Sequence, residues 1–195
     1  MRKVGMRNGI IAAGLVLAFA FAGTACTQKL YSDPDMTSAV VTESVDPMSF
    51  TAIDAKIRDY NFGINEYMRE HFAEATQKKT SGVTLNGQAA ECTYTISADG
   101  KYESLQMEKT ISNGMQIDEY FNLGDSVFIA RTTVYNDGNF EPVDKYYIID
   151  GAIYKLDGSA ETVNFIVNIN DAAAAETRSN LDIYFTFDEI RALYA

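Results

Sequence analysis

The 195-residue chain has few of the residues that metal and nucleophilic enzyme sites use most. It contains no tryptophan, one histidine, two cysteines and three prolines. The histidine, His71, and the one cysteine in the body of the chain cannot supply the three or four nitrogen and sulfur ligands of a zinc site. No G-x-S-x-G motif or glycine-rich phosphate loop is present. The sequence therefore predicts no catalytic residue, no metal ligand and no cofactor, with His71 a packed or solvated helix residue.

Positive charge is also scarce. The chain has 16 Lys and Arg against 27 Asp and Glu, a formal net charge of −11. Removal of residues 1–25 would take away three basic residues and no acidic one, which leaves −14. A domain this acidic repels the phosphate backbone, so we expect no nucleic-acid partner.

The first 25 residues have the pattern of an export signal. Arg2, Lys3 and Arg7 precede an apolar run from Ile10 to Ala22, and small residues follow it. At about 1.5 Å per residue the run spans roughly 20 Å, which is short of the ~30 Å hydrocarbon core of a bilayer. We therefore predict a signal peptide over 1–25, with a permanent transmembrane helix as the less favoured interpretation.

The end of this segment, Ala22-Gly23-Thr24-Ala25-Cys26, resembles the lipobox of bacterial lipoproteins, with Gly23 where leucine is usual. The resemblance implies cleavage after Ala25 and diacylglycerol on the Cys26 thiol. The protein would then be lipid-anchored on the outer, extracytoplasmic side of the cell membrane. The alternative is ordinary signal peptidase cleavage after the small residues, which would release a secreted protein.

The second cysteine, Cys92, lies in a strand-like stretch together with Tyr94 and Ile96, which share its predicted face. This pattern favours a buried, unreactive thiol. The alternative is a disulfide with Cys26, as in other exported proteins. We expect the buried thiol because the residues that follow Cys26 do not have the pattern of a folded segment.

Residues 26–48 are rich in Ser, Thr and Asp and contain two prolines, which predicts a flexible tether. Residues 49–195 form one predicted domain. It begins with a helix whose apolar residues recur every three or four positions. These are Ile53, Ile57, Tyr60, Ile64 and Tyr67, with His71 at the next step. Thr51 with Asp54 resembles a capping box, and Asn61-Phe62-Gly63 predicts a kink or a division.

After Thr80 the hydrophobic period changes to two, and Asp-Gly and Asn-Gly pairs mark tight turns. We predict six strands, 89–97, 102–111, 115–122, 126–135, 141–149 and 152–156, and a seventh around Val163–Ile169. A short helix is expected at 171–176 and a capping box at Thr186–Glu189. The fold class is α+β, an N-terminal helix packed on a twisted antiparallel meander of six to eight strands with a short C-terminal helix.

Tyrosine is abundant, with 12 residues. Tyr146 and Tyr147 are neighbours on a predicted strand, so one should face the core and the other should face outward. Together with the nearby Tyr154, an outward tyrosine could form a binding platform, although tyrosine is also a common strand residue.

Two functions follow from these observations. The leading hypothesis is a membrane-anchored, non-catalytic binding module for an apolar ligand or an envelope protein. A meander with a helix across it can hold an apolar ligand between its layers. The alternative is a small cell-envelope hydrolase that uses paired carboxylates, which two of the 27 acidic residues could supply if they meet in space.

Overall fold

The structure is a computed structural model that describes residues 46–71, 74, 76–81, 86–158 and 161–194. The predicted signal peptide, Cys26 and most of the predicted tether lie outside these residues. The helices are α1 (Phe50–His71), α2 (Ala174–Leu181) and α3 (Phe187–Ala192). The strands are β1 (Thr76–Ser81), β2 (Ala90–Ile96), β3 (Glu103–Ile111), β4 (Gly114–Asn122), β5 (Ser126–Tyr135), β6 (Asp144–Ile149), β7 (Ala152–Asp157) and β8 (Thr162–Asn168).

The strands form one eight-stranded sheet in sequence order, β1 to β8, and every neighbouring pair is antiparallel. This confirms the predicted antiparallel sheet accompanied by helices. Each predicted strand is present with small changes at its ends. β1 was not predicted, because its sequence TQKKTS is polar and has no apolar alternation. Such a sequence suits an edge strand, where lysines discourage pairing with other chains.

One face of the sheet carries the main hydrophobic core. Met107, Tyr120 and Ile129 on adjacent strands are completely or almost completely buried. The C-terminal segment covers them with Ile183, Phe185, Phe187 and Ile190. We call this side the core face.

Side chains of α1 contact residues of the opposite face, which is called the α1 face. Ile53 and Ile57 of the helix are 1% and 2% exposed. Lys56 Nζ lies 3.5 Å from the Tyr147 hydroxyl of β6. Farther along the helix, the Tyr60 hydroxyl donates a hydrogen bond to the backbone carbonyl of Glu103 and accepts one from its backbone N–H.

The predicted start of α1 was wrong. The helix is capped two residues earlier than Thr51, since the Ser49 hydroxyl accepts a hydrogen bond from the Ala52 backbone N–H. Asp54 instead forms an ion pair with Arg58, one turn along the helix. A serine followed by an apolar residue gives a weaker sequence signal than a Thr-x-x-Asp pattern, although either can cap a helix.

The predicted division of the helix at Asn61-Phe62-Gly63 was wrong, because α1 continues through Gly63 as one helix. The glycine is accounted for by a close approach to the β2–β3 turn. A methyl group at this position would lie 2.4 Å from the Tyr102 hydroxyl oxygen. The ring of Tyr102 packs against those of Tyr60 and Tyr67, so this contact fixes the far half of the helix.

At the C-terminus, α2 begins three residues later than the predicted helix and extends to Leu181. Leu181 is therefore helical, and residues 182–186 form no strand, although Ile183 and Phe185 alternate as a strand would. Ile183 and Phe185 instead pack into the core cluster. The capping box of α3 is confirmed. The Thr186 hydroxyl accepts a hydrogen bond from the Glu189 backbone N–H, and the Glu189 carboxylate accepts one from the Thr186 backbone N–H.

Candidate functional site

A cleft of about 290 Å³ lies at one end of the sheet. Its walls are the β4–β5 turn, the β6–β7 turn and the start of α3. Antiparallel hairpins bring these two turns to the same end of the sheet, and the C-terminal segment folds over the core face beside them. The lining is mixed, with Phe185, Phe187 and Ile148 beside polar side chains.

The first polar wall is built by Arg191 of α3. Its guanidinium binds both carboxylate oxygens of Glu103, at 2.8 and 2.6 Å, and also binds Asp188 at 2.6 Å. Tyr94 and Asn122 donate further hydrogen bonds to Glu103. Burial raises the pKa of Glu103, but these hydrogen bonds and the arginine charge outweigh it and leave the pKa below 4.5. Arg191 is thus fully engaged within the protein.

The second polar wall is the β4–β5 turn, whose Asp125 and Ser126 line the cleft and contact Lys56 of α1, a residue outside the lining. Lys56 Nζ forms an ion pair with Asp125 and lies 3.3 Å from the hydroxyl oxygen of Ser126. A serine beside a lysine can act as a nucleophile only if the lysine is neutral. Burial lowers the pKa of Lys56, but Asp125 and Tyr147 together outweigh this effect and raise the pKa above 10.5. The lysine therefore stays charged and cannot deprotonate Ser126.

The third wall is the tight turn at Asp150-Gly151, where both residues have positive φ angles of 50° and 73°. Two successive positive φ angles are typical of a type I′ hairpin turn, as the Asp-Gly pair predicts. The turn places the exposed Asp150 at the rim of the cleft.

The carboxyl groups of Asp125 and Glu119 have pKa values shifted in opposite directions. Asp125, the partner of Lys56, has its pKa lowered by hydrogen bonds from Lys56 and Ser126. A carboxyl with a raised pKa is Glu119, at about 7, because burial disfavours its charged form. It lies in the middle of β4 on the α1 face and is not part of the cleft lining. Among the described residues, no three His, Cys, Asp or Glu side chains are grouped as metal ligands.

Of the residues singled out from the sequence, Cys26 lies outside the described residues. Cys92 is a free thiol, 1% exposed, which confirms that it is buried. Burial, followed by the nearby Glu91 charge, raises its pKa above 9.0. His71 lies at the end of α1, 3.3 Å from Glu74 and stacked near Tyr67. The structure does not bring His71 or Cys92 to the cleft.

The predicted tyrosine platform was wrong. Tyr146 and Tyr147 do point to opposite faces of β6, but they are 4% and 2% exposed. Tyr146 packs in the core under the C-terminal segment, and Tyr147 lies beside Lys56 of α1. Because both faces of the sheet are covered here, neither tyrosine is outward. β5 and β6 carry apolar residues on both faces for the same reason, since both faces of the sheet are covered at these strands.

Sequence reasoning missed the cleft residues, because each lies at an element end that only folding brings together. The available signals were the Gly124-Asp125 and Asp150-Gly151 turns and the capping box before Arg191.

The sequence analysis also missed a buried ion cluster on the core face. There Asp118, fully buried, binds Lys109 at 2.8 Å and Arg131 at 2.7 Å, and Lys109 reaches Asp182 at 3.0 Å. This cluster attaches the end of α2 to the sheet.

In the part of the chain that the structure describes, no helix has the length and apolar character needed to cross a bilayer. Comparison of the chain with protein-family models, with curated proteins and with solved structures finds no match.

Proposed function

We propose that the protein is a membrane-anchored extracytoplasmic lipoprotein whose folded domain is a non-catalytic binding module. Its partner is an envelope protein that docks at the cleft beside α3. The observation that carries the binding role is the internal pairing of the cleft charges. Lys56 is bound to Asp125, and Arg191 is bound to Glu103 and Asp188. Such walls are rigid and polar, and they offer hydrogen-bonding groups rather than a reactive one.

The anchor rests on the N-terminal sequence. The basic residues, the apolar run and the lipobox-like Ala22–Cys26 segment together favour lipid attachment at Cys26. The predicted tether would then separate the lipid from the domain. With 19 residues between Cys26 and Asp46, a flexible chain has a mean end-to-end distance of about 25 Å. The domain would therefore work close to the outer surface of the bilayer.

We also propose the finer architecture, in which α1 packs across the twisted meander and α3 is the short C-terminal helix on the opposite face. The contacts of Lys56 and Tyr60 with the sheet support the position of α1. The Arg191–Glu103 ion pair supports the position of α3. In this arrangement both faces of the sheet are covered at β5 and β6.

The choice of an envelope protein over an apolar ligand follows from packing. Residues that would line a cavity between α1 and the sheet, such as Ile53, Ile57 and Tyr147, are already packed. The cleft itself is open and slightly smaller than the 300–1,000 Å³ usual for small-molecule sites. A protein segment that contributes a few side chains fits such a cleft better than an enclosed lipid does.

Weighing against the alternative hydrolase is the location of the raised carboxyl outside the cleft. Hydrolysis by paired carboxylates needs one carboxyl with a raised pKa and one ionised partner in the same cleft. Asp125 has a lowered pKa, and the raised carboxyl of Glu119 lies elsewhere.

The anchor is tested by intact mass and by location. In a bacterium that processes lipoproteins, we expect a mature chain that begins at Cys26 and carries acyl mass. Cys26→Ser should move the protein from the membrane fraction to the medium, whereas the matched control Cys92→Ser should stay in the membrane fraction. An unmodified soluble wild-type chain would overturn the anchor.

The binding module is tested with a photo-crosslinking amino acid at position 188, whose side chain is 88% exposed at the cleft. We expect a defined protein adduct in intact cells that is lost when Asp150 is also changed to Arg. The same label at Glu176, exposed on α2, should not give that adduct. An adduct that survives Asp150→Arg, or no adduct at position 188, would contradict the proposed site.

A further inference from the structure

The sheet carries an uncovered apolar ledge beside the start of α1. Phe165 of β8 is 60% exposed, and its ring meets that of Tyr154 edge-on at 5.8 Å. Val163, half-buried, precedes it by two residues on the same strand and therefore points to the same side. We call Tyr154, Val163 and Phe165 the β8 ledge. It contains no charged side chain.

The ledge belongs to the α1 face, and α1 leaves its outermost residue, Phe165, uncovered. Phe165 pairs with Tyr154, and Tyr154 pairs with Tyr147, which lies beside Lys56 of the helix. With strands about 4.8 Å apart, Phe165 is roughly 10 Å beyond the strand under the helix. A helix extends only about 5–6 Å from its axis. The sheet therefore extends beyond the helix, and the β8 ledge is exposed there.

The position of the ledge relative to the N-terminal chain suggests what covers it. The ring of Phe50, the first residue of α1, lies against the β7–β8 turn, since a methyl group on Gly158 would be 3.3 Å from Phe50 Cζ. The chain toward Cys26 leaves α1 at this point, with Asp46 only four residues earlier. The ledge thus begins at the place where the predicted tether joins the domain.

We propose that the β8 ledge rests on the outer surface of the lipid bilayer and orients the anchored domain. Aromatic side chains are favoured at the boundary between headgroups and acyl chains. A single exposed phenylalanine binds a membrane weakly by itself, but a lipid tether of about 25 Å keeps it near the surface. In this orientation, lipid contacts the edge strand β8, whose seven residues Thr162–Asn168 include no charged side chain.

This inference rests on the proposed lipid anchor, and one experiment can separate the two. Because the chain has no tryptophan, Phe165→Trp introduces a single fluorescent probe. The matched control is Phe62→Trp, whose site is 66% exposed on α1, twelve residues or about 18 Å along the helix from Phe50. Both proteins are expressed from the full chain in a bacterium that processes lipoproteins, and the mature products are mixed with phosphatidylcholine vesicles with and without bromine on the acyl chains.

Co-flotation with the vesicles reports the anchor. Tryptophan quenching by the brominated chains reports the ledge. We expect both variants to float and unfold at similar temperatures. The emission at position 165 should fall at least about twofold in brominated vesicles, and that at position 62 should be unchanged.

If the proteins float but position 165 is quenched no more than position 62, the ledge proposal is wrong and the anchor stands. If neither protein floats, the anchor is wrong. Protection of position 165 from aqueous acrylamide that depends on protein concentration rather than on vesicles would show that β8 pairs with a second copy, and would also overturn the proposal.

Discussion

Arg191 on α3 and Glu103 at the start of β3 form a two-pronged ion pair, with nitrogen–oxygen distances of 2.8 and 2.6 Å. The glutamate is 4% exposed, whereas the arginine side chain is about half exposed. The pair joins the last helix to the third strand, and it holds one wall of the cleft. Bidentate geometry makes it stronger than an ordinary surface ion pair.

Replacement of Arg191 by Met should destabilise the fold, because it leaves the Glu103 carboxylate buried without its charged partner. We expect a loss of about 2 kcal/mol in the free energy of unfolding, below the range for fully buried pairs since Arg191 is half exposed. Denaturant unfolding at pH 7 measures it. Arg69→Met, whose side chain is 70% exposed, should change stability by less than about 0.5 kcal/mol.

The same pair predicts a pH dependence. The pKa of Glu103 is lowered in the folded protein from 4.5, so its contribution to stability is present above pH 4.5 and is lost as the pH falls through the folded pKa. The difference in unfolding free energy between the wild type and Arg191→Met should therefore be largest near pH 7 and should shrink below pH 4.5. A difference that is constant from pH 7 to pH 3 would show that the loss comes from packing alone.

The observed cap of α1 predicts that Ser49 matters more than Thr51. Ser49→Ala removes the acceptor for the Ala52 N–H and should cost about 1 kcal/mol. Thr51→Ala removes an exposed side chain that makes no cap and should have an effect within about 0.5 kcal/mol. Thermal or denaturant unfolding of the two variants measures these losses. A larger loss for Thr51→Ala than for Ser49→Ala would support the cap at Thr51 that the sequence predicts.

Glu119 predicts a stabilising substitution. Burial raises the pKa of this carboxyl from 4.5 to about 7. Between pH 4.5 and pH 7 the folded state therefore holds a proton that the unfolded state has already released. The free energy of unfolding falls as the pH rises across this range. Glu119→Gln should stabilise the protein by roughly 2 kcal/mol at pH 8 and by almost nothing at pH 4.

The matched control is Glu91→Gln, an exposed glutamate on β2, for which we expect no such difference between pH 8 and pH 4. Unfolding free energies of both variants across pH 4–8 provide the measurement. If Glu119→Gln has the same effect at both ends of the range, the carboxyl is ionised throughout and is well solvated.

The buried thiol of Cys92 predicts low reactivity. In Cys26→Ser protein, Cys92 is the one remaining thiol, and it is 1% exposed with a raised pKa. Labelling with a disulfide reagent at pH 8 should be at least about 1,000-fold slower in the native protein than in denaturant, since it requires opening of the core. Comparable rates would mean that β2 opens readily.

The sequence was informative wherever the signal is local. Strands β2 to β8 follow from an apolar period of two between Asp-Gly and Asn-Gly turns, and such turns force neighbours to pair antiparallel. Cys92 was placed correctly because its strand neighbours Tyr94 and Ile96 share its side. The Thr186–Glu189 capping box was identified because all of its contacts lie within four residues.

The sequence was misleading where a residue's environment depends on a distant element. Tyr147 looked available as a binding surface until α1 covered it. Leu181, Ile183 and Phe185 alternate like a strand, but Leu181 ends α2, and the other two pack into the core cluster without a strand partner. β1 is polar and became a strand only because β2 offered it an edge.

By itself the sequence determined the acidic character of the domain and the meander of hairpins, because these depend on composition and on neighbouring residues. The export signal with its lipobox-like end stays a prediction from the sequence. Only the tertiary structure decided the cleft and the β8 ledge. The cleft joins side chains from elements that are far apart in the chain, such as Arg191 and the β4–β5 turn, and the ledge is exposed only because no helix covers Phe165. Such a meeting depends on how helices cover the two faces of the sheet, and no local pattern encodes that coverage.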